Sequence, residues 1–114
     1  MKTLAQLALR EHDRAAVGEA ARLLRTRFSA ERVMLFGSKA NGTDDEESDI
    51  DLLVLTSREL GWKERGAMTD ALFEIGMAHG VVISPLVVSA AEWEGGRFSV
   101  LPIHDVIKSS GVPV

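Results

Sequence analysis

The sequence contains no cysteine and only three prolines, and it has no apolar run long enough to cross a membrane. Disulfides, thiolate zinc sites and cysteine nucleophiles are therefore excluded, and no feature indicates an oxidising compartment. The longest apolar region, residues 81–91, is too short for a span and is interrupted by polar residues and a proline. The first ten residues lack the apolar core of a signal peptide. We expect a cytoplasmic protein that does not enter a membrane.

Positive charge is not in excess either. The chain has 13 Lys and Arg residues against 17 Asp and Glu residues, a formal net charge of -4, which does not favour nucleic-acid binding by bulk electrostatics. Hydrophobic residues make up 46% of the chain and charged residues 26%, so a disordered chain or a collagen-like repeat is excluded. We expect residues 1–114 to form a single domain.

Two long helices are predicted from residue type and the spacing of apolar residues. The first covers about residues 4–27, as one helix or as two, because Asp13 and Gly18 weaken its middle. The second covers about residues 60–79 and ends at Gly80, a residue suited to the C-terminal cap of a helix.

Three apolar segments, residues 33–36, 50–55 and 81–88, predict strands. The first two show no alternation, which is typical of strands buried on both faces. Pro85 lies in the third and requires an edge position or a bulge. A last short helix is predicted near residues 101–108. The order helix, strand, strand, helix, strand, helix predicts an α/β (α+β) fold in which helices pack on a small mixed sheet.

Polar residues mark the junction between the first two predicted strands. Gly37 and Ser38 end the first strand, and after ten further residues Asp49 and Asp51 begin the second. Alternate side chains of a strand share a face, so the two carboxylates should point the same way, about 6 to 7 Å apart along the chain. Two like charges at the start of an apolar strand need compensation by a cation or by solvent, and Mg²⁺ is the hard ion that carboxylates hold beside substrate phosphates.

A glycine at the end of the first strand lets the backbone turn sharply and lets a phosphate approach its amide, and the next residue, Ser38, adds a hydroxyl donor. If the two strands are neighbours, this turn and the carboxylates flank one site. That is the minimum apparatus for phosphoryl or nucleotidyl transfer. The alternative is an ordinary Gly-Ser turn followed by a solvated entry into a strand.

Residues 37–42, GSKANG, and 48–52, SDIDL, resemble the signature of the polymerase-beta-type nucleotidyltransferase superfamily. The likeness is closest to its stand-alone minimal nucleotidyltransferases. It implies transfer of a nucleoside monophosphate from an NTP, with ATP as the expected donor, to a partner macromolecule, with release of pyrophosphate.

The resemblance also implies roles for individual residues. Gly37, Ser38 and Lys39 would hold the triphosphate. Asp49 and Asp51 would be the catalytic carboxylates and would bind the magnesium ions.

A protein partner follows from the same resemblance. Small members of this group are commonly encoded beside a helical HEPN-type toxin and act as antitoxins, some of them by adenylylating a tyrosine of that toxin. A domain without its own acceptor lobe can also build its site against another chain, so an oligomer stays open. A drug- or sugar-nucleotide transferase needs an acceptor lobe that 114 residues do not easily include.

The sequence departs from the family pattern at two places. Asn41 stands where the family often has an arginine, and residues 81–88 lack the third carboxylate that active relatives usually carry on the following strand. Loss of a general base costs about 100- to 10,000-fold in rate. Asp70, Glu74 and Glu92 are the acids that could replace it. The second hypothesis is therefore a binding module that keeps the fold and neutralises its partner by occlusion.

Other residues carry simpler predictions. The acidic run at residues 44–47 adds four negative charges near the proposed triphosphate site, and it predicts a solvated loop tip in preference to a metal or acceptor role. Trp62 and Trp93 either pack on the domain or anchor a protein interface. Met34, Met68 and Met77 are predicted to fill the core.

Overall fold

The computed structural model describes residues 2–43 and 48–114, which form a four-stranded mixed sheet with helices packed on both faces. The strands are β1 Ala30–Phe36, β2 Ile50–Thr56, β3 Ile83–Ser89 and β4 Val112–Pro113. The helices are α1 Glu11–Arg27, α2 Ser38–Asn41, α3 Trp62–His79, α4 Ala90–Glu94 and α5 Pro102–Ser110, with 3-10 turns at Leu4–Gln6 and Arg97–Val100. The predicted fold class is confirmed. The acidic run 44–47 lies outside the described residues.

The order of the strands brings the end of β1 to the start of β2. The sheet order is β3-β2-β1-β4, with β1 antiparallel to β2 and β4 and with β2 parallel to β3. Phe36, the last residue of β1, lies opposite Asp51, and Ser84 of β3 lies opposite Asp51 on the other side. The end of β1 and the starts of β2 and β3 therefore lie side by side.

Strand β2 separates two hydrophobic cores. Its residues Ile50, Leu52 and Val54 belong to the core formed with α1 and α3, whereas Leu53 and Leu55 belong to the core formed with α4 and α5. This burial confirms the prediction that the apolar run at residues 50–55 forms a strand buried on both faces. Because alternate residues of a strand share a face, Asp51 lies on the α4 and α5 side of the sheet.

The first predicted helix extends too far toward the N-terminus: α1 covers only Glu11–Arg27, and it runs without a break through Asp13 and Gly18, where the sequence also allowed a division into two helices. The Thr3 backbone N–H donates to Gln6 Oε1 over 2.9 Å, but this cap begins only the short 3-10 turn. Helix α1 begins at Glu11. The Arg14 guanidinium donates to the carbonyls of Leu4 and Leu7, over 2.8 and 2.6 Å, and ties the turn to α1.

Helix α3 confirms the second predicted helix and ends at Gly80 in the left-handed conformation, φ 70°. Its buried face carries Met68, Leu72 and Ile75. The prediction for Met77 was wrong: its side chain is exposed, because it lies two positions beyond Ile75 and therefore on another side of the helix.

The two tryptophans have different environments. Trp93 of α4 is buried in the core that α4 and α5 form on one face of the sheet. The centroids of the Trp93 and His104 rings lie 4.6 Å apart. Trp62, the first residue of α3, is 79% exposed. Trp93 therefore packs on the domain. For Trp62, the role of an interface anchor stays a prediction.

Strand β3 is an edge strand, as Pro85 requires. The Ile50 N–H donates to the Val82 carbonyl over 2.8 Å. In a parallel pair only alternate residues of a strand bond to the same neighbour, so the backbone groups of residues 82 and 84 face β2, and the Pro85 nitrogen faces away from it. The ladder to β2 therefore loses no hydrogen bond. On the same outer edge, Arg65 Nη1 donates to the Val87 carbonyl over 3.3 Å.

The end of the chain adds an element that was not predicted. Helix α5 confirms the helix predicted near residues 101–108, and Val112–Pro113 then pairs with Met34 and Leu35 of β1. Two residues have no periodicity from which a strand could be recognised. In the part of the chain that the structure describes, no helix is both long and apolar enough to cross a bilayer.

Candidate functional site

A sharp turn follows β1, with a glycine in a positive-φ conformation at each of its ends. Gly37 has φ 77° and ψ -156°, a region of backbone conformation that is essentially restricted to glycine. Its carbonyl accepts from the N–H groups of Ala40 and Asn41, each over 3.1 Å, which starts α2. Gly42, with φ 73°, ends α2 in the left-handed conformation. The GSKANG segment is thus a compact turn at the end of β1.

The turn lies directly against the second half of the motif. A methyl group at Gly37 would overlap the Asp51 carboxylate at Oδ2 and lie 3.4 Å from its Cγ. The absence of a side chain therefore lets the backbone approach the carboxylate. The sequence predicted that the Gly-Ser turn and the Asp pair would flank one site, and the structure places them side by side.

Asp49 lies close enough to Asp51 to affect the ionisation of its carboxyl. Asp49 is exposed just before β2, and Asp51 is half-buried in it. Burial raises the pKa of the Asp51 carboxyl, and the charge of Asp49 raises it further. The Ser84 hydroxyl donates to Asp49 Oδ2 over 3.2 Å. The site therefore consists of two repelling carboxylates, with a serine beside one of them.

The acids named as substitutes for a third carboxylate lie elsewhere. Asp70 and Glu74 are on α3, which packs against the opposite face of the sheet from Asp51. Glu92 is on α4, where its Oε2 accepts from the Arg97 backbone N–H over 3.2 Å. Among residues 2–43 and 48–114, no group of three or more His, Cys, Asp or Glu side chains is placed to hold a metal.

The residues present fit a magnesium ion that is shared with a substrate. The raised pKa of Asp51 shows that its negative charge is not fully compensated by the protein. Mg²⁺ is commonly held by one or two carboxylates together with substrate phosphates and water. Asp49 and Asp51 provide that number of carboxylates, and the Gly37 turn lies directly beside Asp51.

We expect the Asp51 charge to make the stability of the metal-free protein depend on pH. A carboxyl with a raised pKa holds its proton more tightly in the folded state, so its contribution to stability falls as the pH rises above the ordinary aspartate value of 3.8, and levels off above the folded pKa. Asp51→Asn removes this loss. The Tm of the variant should exceed that of the wild type at pH 7, by a margin that shrinks as the pH is lowered toward 4.

The measurement is a series of thermal melts in EDTA between pH 3.5 and 8. Asp49→Asn is the matched control, because it removes only the second cause of the shift and should give a smaller gain. Added Mg²⁺ should raise the Tm of the wild type more than that of Asp51→Asn. A Tm difference between Asp51→Asn and the wild type that stays constant over this range would contradict the expectation.

Lys39 has an environment that the sequence did not reveal. Its Nζ lies 2.8 Å from Asp13 Oδ2 of α1, and both side chains are 1% exposed. The predicted role in binding the triphosphate would require the ammonium to leave this carboxylate. A signal was present in the sequence: Asp13 lies four residues before Val17, on the buried face of α1, where an unpaired charge would be costly.

Comparison with known proteins identifies the class of protein. A family model described as "Polymerase beta, Nucleotidyltransferase" matches residues 19–86, more than half of the chain. The protein belongs to this nucleotidyltransferase family. The matched region contains β1, β2, α2, α3 and the whole of the proposed site.

Individual relatives agree with this assignment. The chain is 37% identical over 57 residues to "Putative protein adenylyltransferase MJ0141" of Methanocaldococcus jannaschii, a match that covers 50% of this chain and 58% of that protein. The solved "Structure of putative minimal nucleotidyltransferase" is 25% identical, with a TM-score of 0.55, and the match covers 99% of this chain and 97% of that one.

A second solved structure shares the fold. The "Crystal structure of the toxin-antitoxin with AMP-PNP" contains a chain that is 20% identical, with a TM-score of 0.58, over 84% of this chain and 69% of that one. The resemblance to minimal nucleotidyltransferases drawn from the motif is therefore confirmed.

Proposed function

We propose that the protein is a Mg²⁺-dependent nucleotidyltransferase that moves the nucleoside monophosphate of an NTP, with ATP as the expected donor, to a partner protein. The contact between the Gly37 backbone and the Asp51 carboxylate is the observation that carries this proposal, because it joins a phosphate-binding turn to a metal-binding pair. The relative named as a protein adenylyltransferase and the neighbour with AMP-PNP support a protein acceptor and an adenine nucleotide.

In this proposal the acceptor oxygen attacks the α-phosphorus of the NTP, and the bond from that phosphorus to the oxygen bridging to the β-phosphate breaks. Pyrophosphate leaves, and the proton of the acceptor hydroxyl passes to solvent water, since the described residues of the site include no dedicated base. Gly37 and Ser38 hold the triphosphate in line, and Asp49 and Asp51 hold the metal. When bound, magnesium supplies positive charge against the developing charge on the phosphate oxygens.

Ser84 limits the expected rate. It occupies the position on β3 opposite Asp51, and its hydroxyl donates to Asp49 instead of supplying a third carboxylate. Positioning and charge neutralisation then provide most of the catalysis. We expect transfer that is slower by about 100- to 10,000-fold than with a dedicated base.

We propose that the partner is a HEPN-type toxin. Residues 1–114 would form a single antitoxin domain that binds this toxin in the cytoplasm. The neighbour described as a toxin-antitoxin structure supports a paired role. A second candidate function is an inactive antitoxin that neutralises this partner by occlusion. The serine at position 84 favours that candidate, because it leaves the site with two carboxylates among the described residues.

The test uses purified protein, Mg²⁺, each of four α-labelled NTPs in turn, and the product of the adjacent gene as acceptor. Transfer of label from ATP to the acceptor is the expected result, and a preference for another NTP would correct the donor. Omission of Mg²⁺ with added EDTA is the matched control and should abolish transfer. If no NTP labels the acceptor while the two proteins still form a complex, the proposal of an active enzyme would be wrong. The inactive antitoxin that acts by occlusion would then be the remaining candidate.

A further inference from the structure

A buried ion pair joins α1 to the turn of the proposed site. Asp13 lies in the first turn of α1, and Lys39 lies in α2, one residue after Ser38. The Lys39 ammonium donates to Asp13 Oδ2 over 2.8 Å, and both side chains are almost completely shielded from solvent. The pair thus connects two segments 26 residues apart, and one of them carries Gly37 and Ser38.

Helix α2 depends on such tertiary support. It has four residues, and a helix of that length is not stable by itself, because nucleation costs more than one turn of hydrogen bonds returns. Two side chains of α2 are buried: Ala40 packs in the core with α1, and Lys39 reaches Asp13. The glycines at its ends, Gly37 and Gly42, add conformational freedom rather than rigidity.

The Asp13 carboxylate is held through Oδ2, because its buried Oδ1 accepts no hydrogen bond from the described residues. Its Oδ1 lies 3.4 Å from His12 Nε2, and its Oδ2 lies 3.9 Å from Arg10 Nη1 in addition to the Lys39 contact. Basic groups therefore lie near both oxygens. Removal of the carboxylate would take away the counter-charge that lies 2.8 Å from the buried Lys39 ammonium, and loss of one partner of a buried ion pair is strongly destabilising. The same loss would remove the side-chain contact that ties α2 to α1.

We propose that Asp13 is a positioning residue for nucleotide binding, a role that rests on the proposed function of the Gly37 and Ser38 turn. Through Lys39 it fixes α2 from inside the fold, so that the turn keeps the geometry that receives the triphosphate. Lys39 then acts as a strut between α1 and α2 and does not contact the phosphates.

The experiment measures the Kd for a non-hydrolysable ATP analogue in the presence of Mg²⁺, and amide hydrogen exchange at residues 38–41. Asp13→Asn and Lys39→Met should each weaken binding about tenfold or more, since misplacement by about 1 Å can cost a hundredfold, and each should speed exchange. The double variant Asp13→Leu/Lys39→Met replaces the pair by apolar side chains. It should recover the Kd to within about threefold and restore slow exchange.

The matched control is Ile107→Val or Ile107→Ala, chosen for a loss of Tm equal to that of Asp13→Asn, because Ile107 is buried in the core on the other face of the sheet. It should change neither readout. A double variant that binds as weakly as Lys39→Met would overturn the proposal and assign Lys39 to the triphosphate. Wild-type Kd and exchange in Asp13→Asn would overturn it as well. Absence of nucleotide binding by the wild type would instead remove the proposed function, and the positioning role with it.

Discussion

Asp51→Asn is expected to reduce nucleotidyl transfer by about a thousandfold, the scale on which electrostatic stabilisation of a transition state is lost. The substitution keeps the shape of the side chain but removes the charge that, with Asp49, would hold the metal. Because the metal-free variant is expected to be at least as stable as the wild type at pH 7, the loss cannot be explained by unfolding. The measurement is single-turnover transfer of label to the partner protein at saturating ATP and Mg²⁺.

Ser84→Ala is the matched control for this result. It removes the hydroxyl that donates to Asp49 and leaves both carboxylates in place. One hydrogen bond contributes about 0.5 to 1.5 kcal/mol, so we expect a change in rate of about tenfold or less. Equal losses in Asp51→Asn and Ser84→Ala would mean that the carboxylate pair does not hold the metal. Both variants should still bind the partner, since neither substitution removes a large exposed side chain.

Gly37→Ala is expected to abolish most of the transfer for a steric reason. The new methyl group would overlap the Asp51 carboxylate, which must rotate away from the turn. The backbone of Gly37 also lies in a region that other residues reach only at a cost of about 1 to 3 kcal/mol. We therefore expect a loss of stability together with a loss of about a hundredfold or more in kcat/KM, because misplacement of a group by about 1 Å has effects of this size.

Gly42→Ala separates the two effects. Gly42 has a similar positive φ, 73°, but a methyl group there would meet open space. This variant should lose about 1 to 2 kcal/mol of stability and keep wild-type transfer. A urea-unfolding cycle that combines Gly37→Ala with Asp51→Ala should show coupling of about 0.5 to 3 kcal/mol, because truncation of Asp51 relieves the overlap. Additive costs, or equal losses of transfer in both glycine variants, would contradict the steric explanation.

The sequence predicted the elements that have a strong pattern. The apolar run of β2, without alternation, indicated a strand buried on both faces, which the structure confirms. Pro85 indicated an edge position or a bulge for β3, and the structure has β3 at the edge of the sheet. Strand β4 was missed because two residues have no period. The first helix was extended too far toward the N-terminus, because the Thr3 cap closes a 3-10 turn and α1 begins only at Glu11.

The part of the candidate site that lies on consecutive strands could be predicted from the sequence. Gly37 and Asp51 meet because β1 and β2 are adjacent antiparallel strands, which their proximity along the chain favours. The Asp13 and Lys39 pair depends on how α1 packs across the sheet, and the spacing of residues does not determine that packing. The hydrogen bond from Ser84 likewise depends on the parallel register of β3 with β2, which can be known only once the crossover through α3 is in place.

The outer edge of β3 has a consequence for association with other chains. An edge strand offers unpaired N–H and C=O groups to which a foreign strand can add. Here Pro85 contributes no N–H to that edge, and the Arg65 guanidinium already donates to the Val87 carbonyl. A ladder grown on β3 would be interrupted at both positions. The protein is thereby protected against open-ended, fibril-like growth along this edge, and a partner that approaches it must be recognised by side chains instead of by continued backbone pairing.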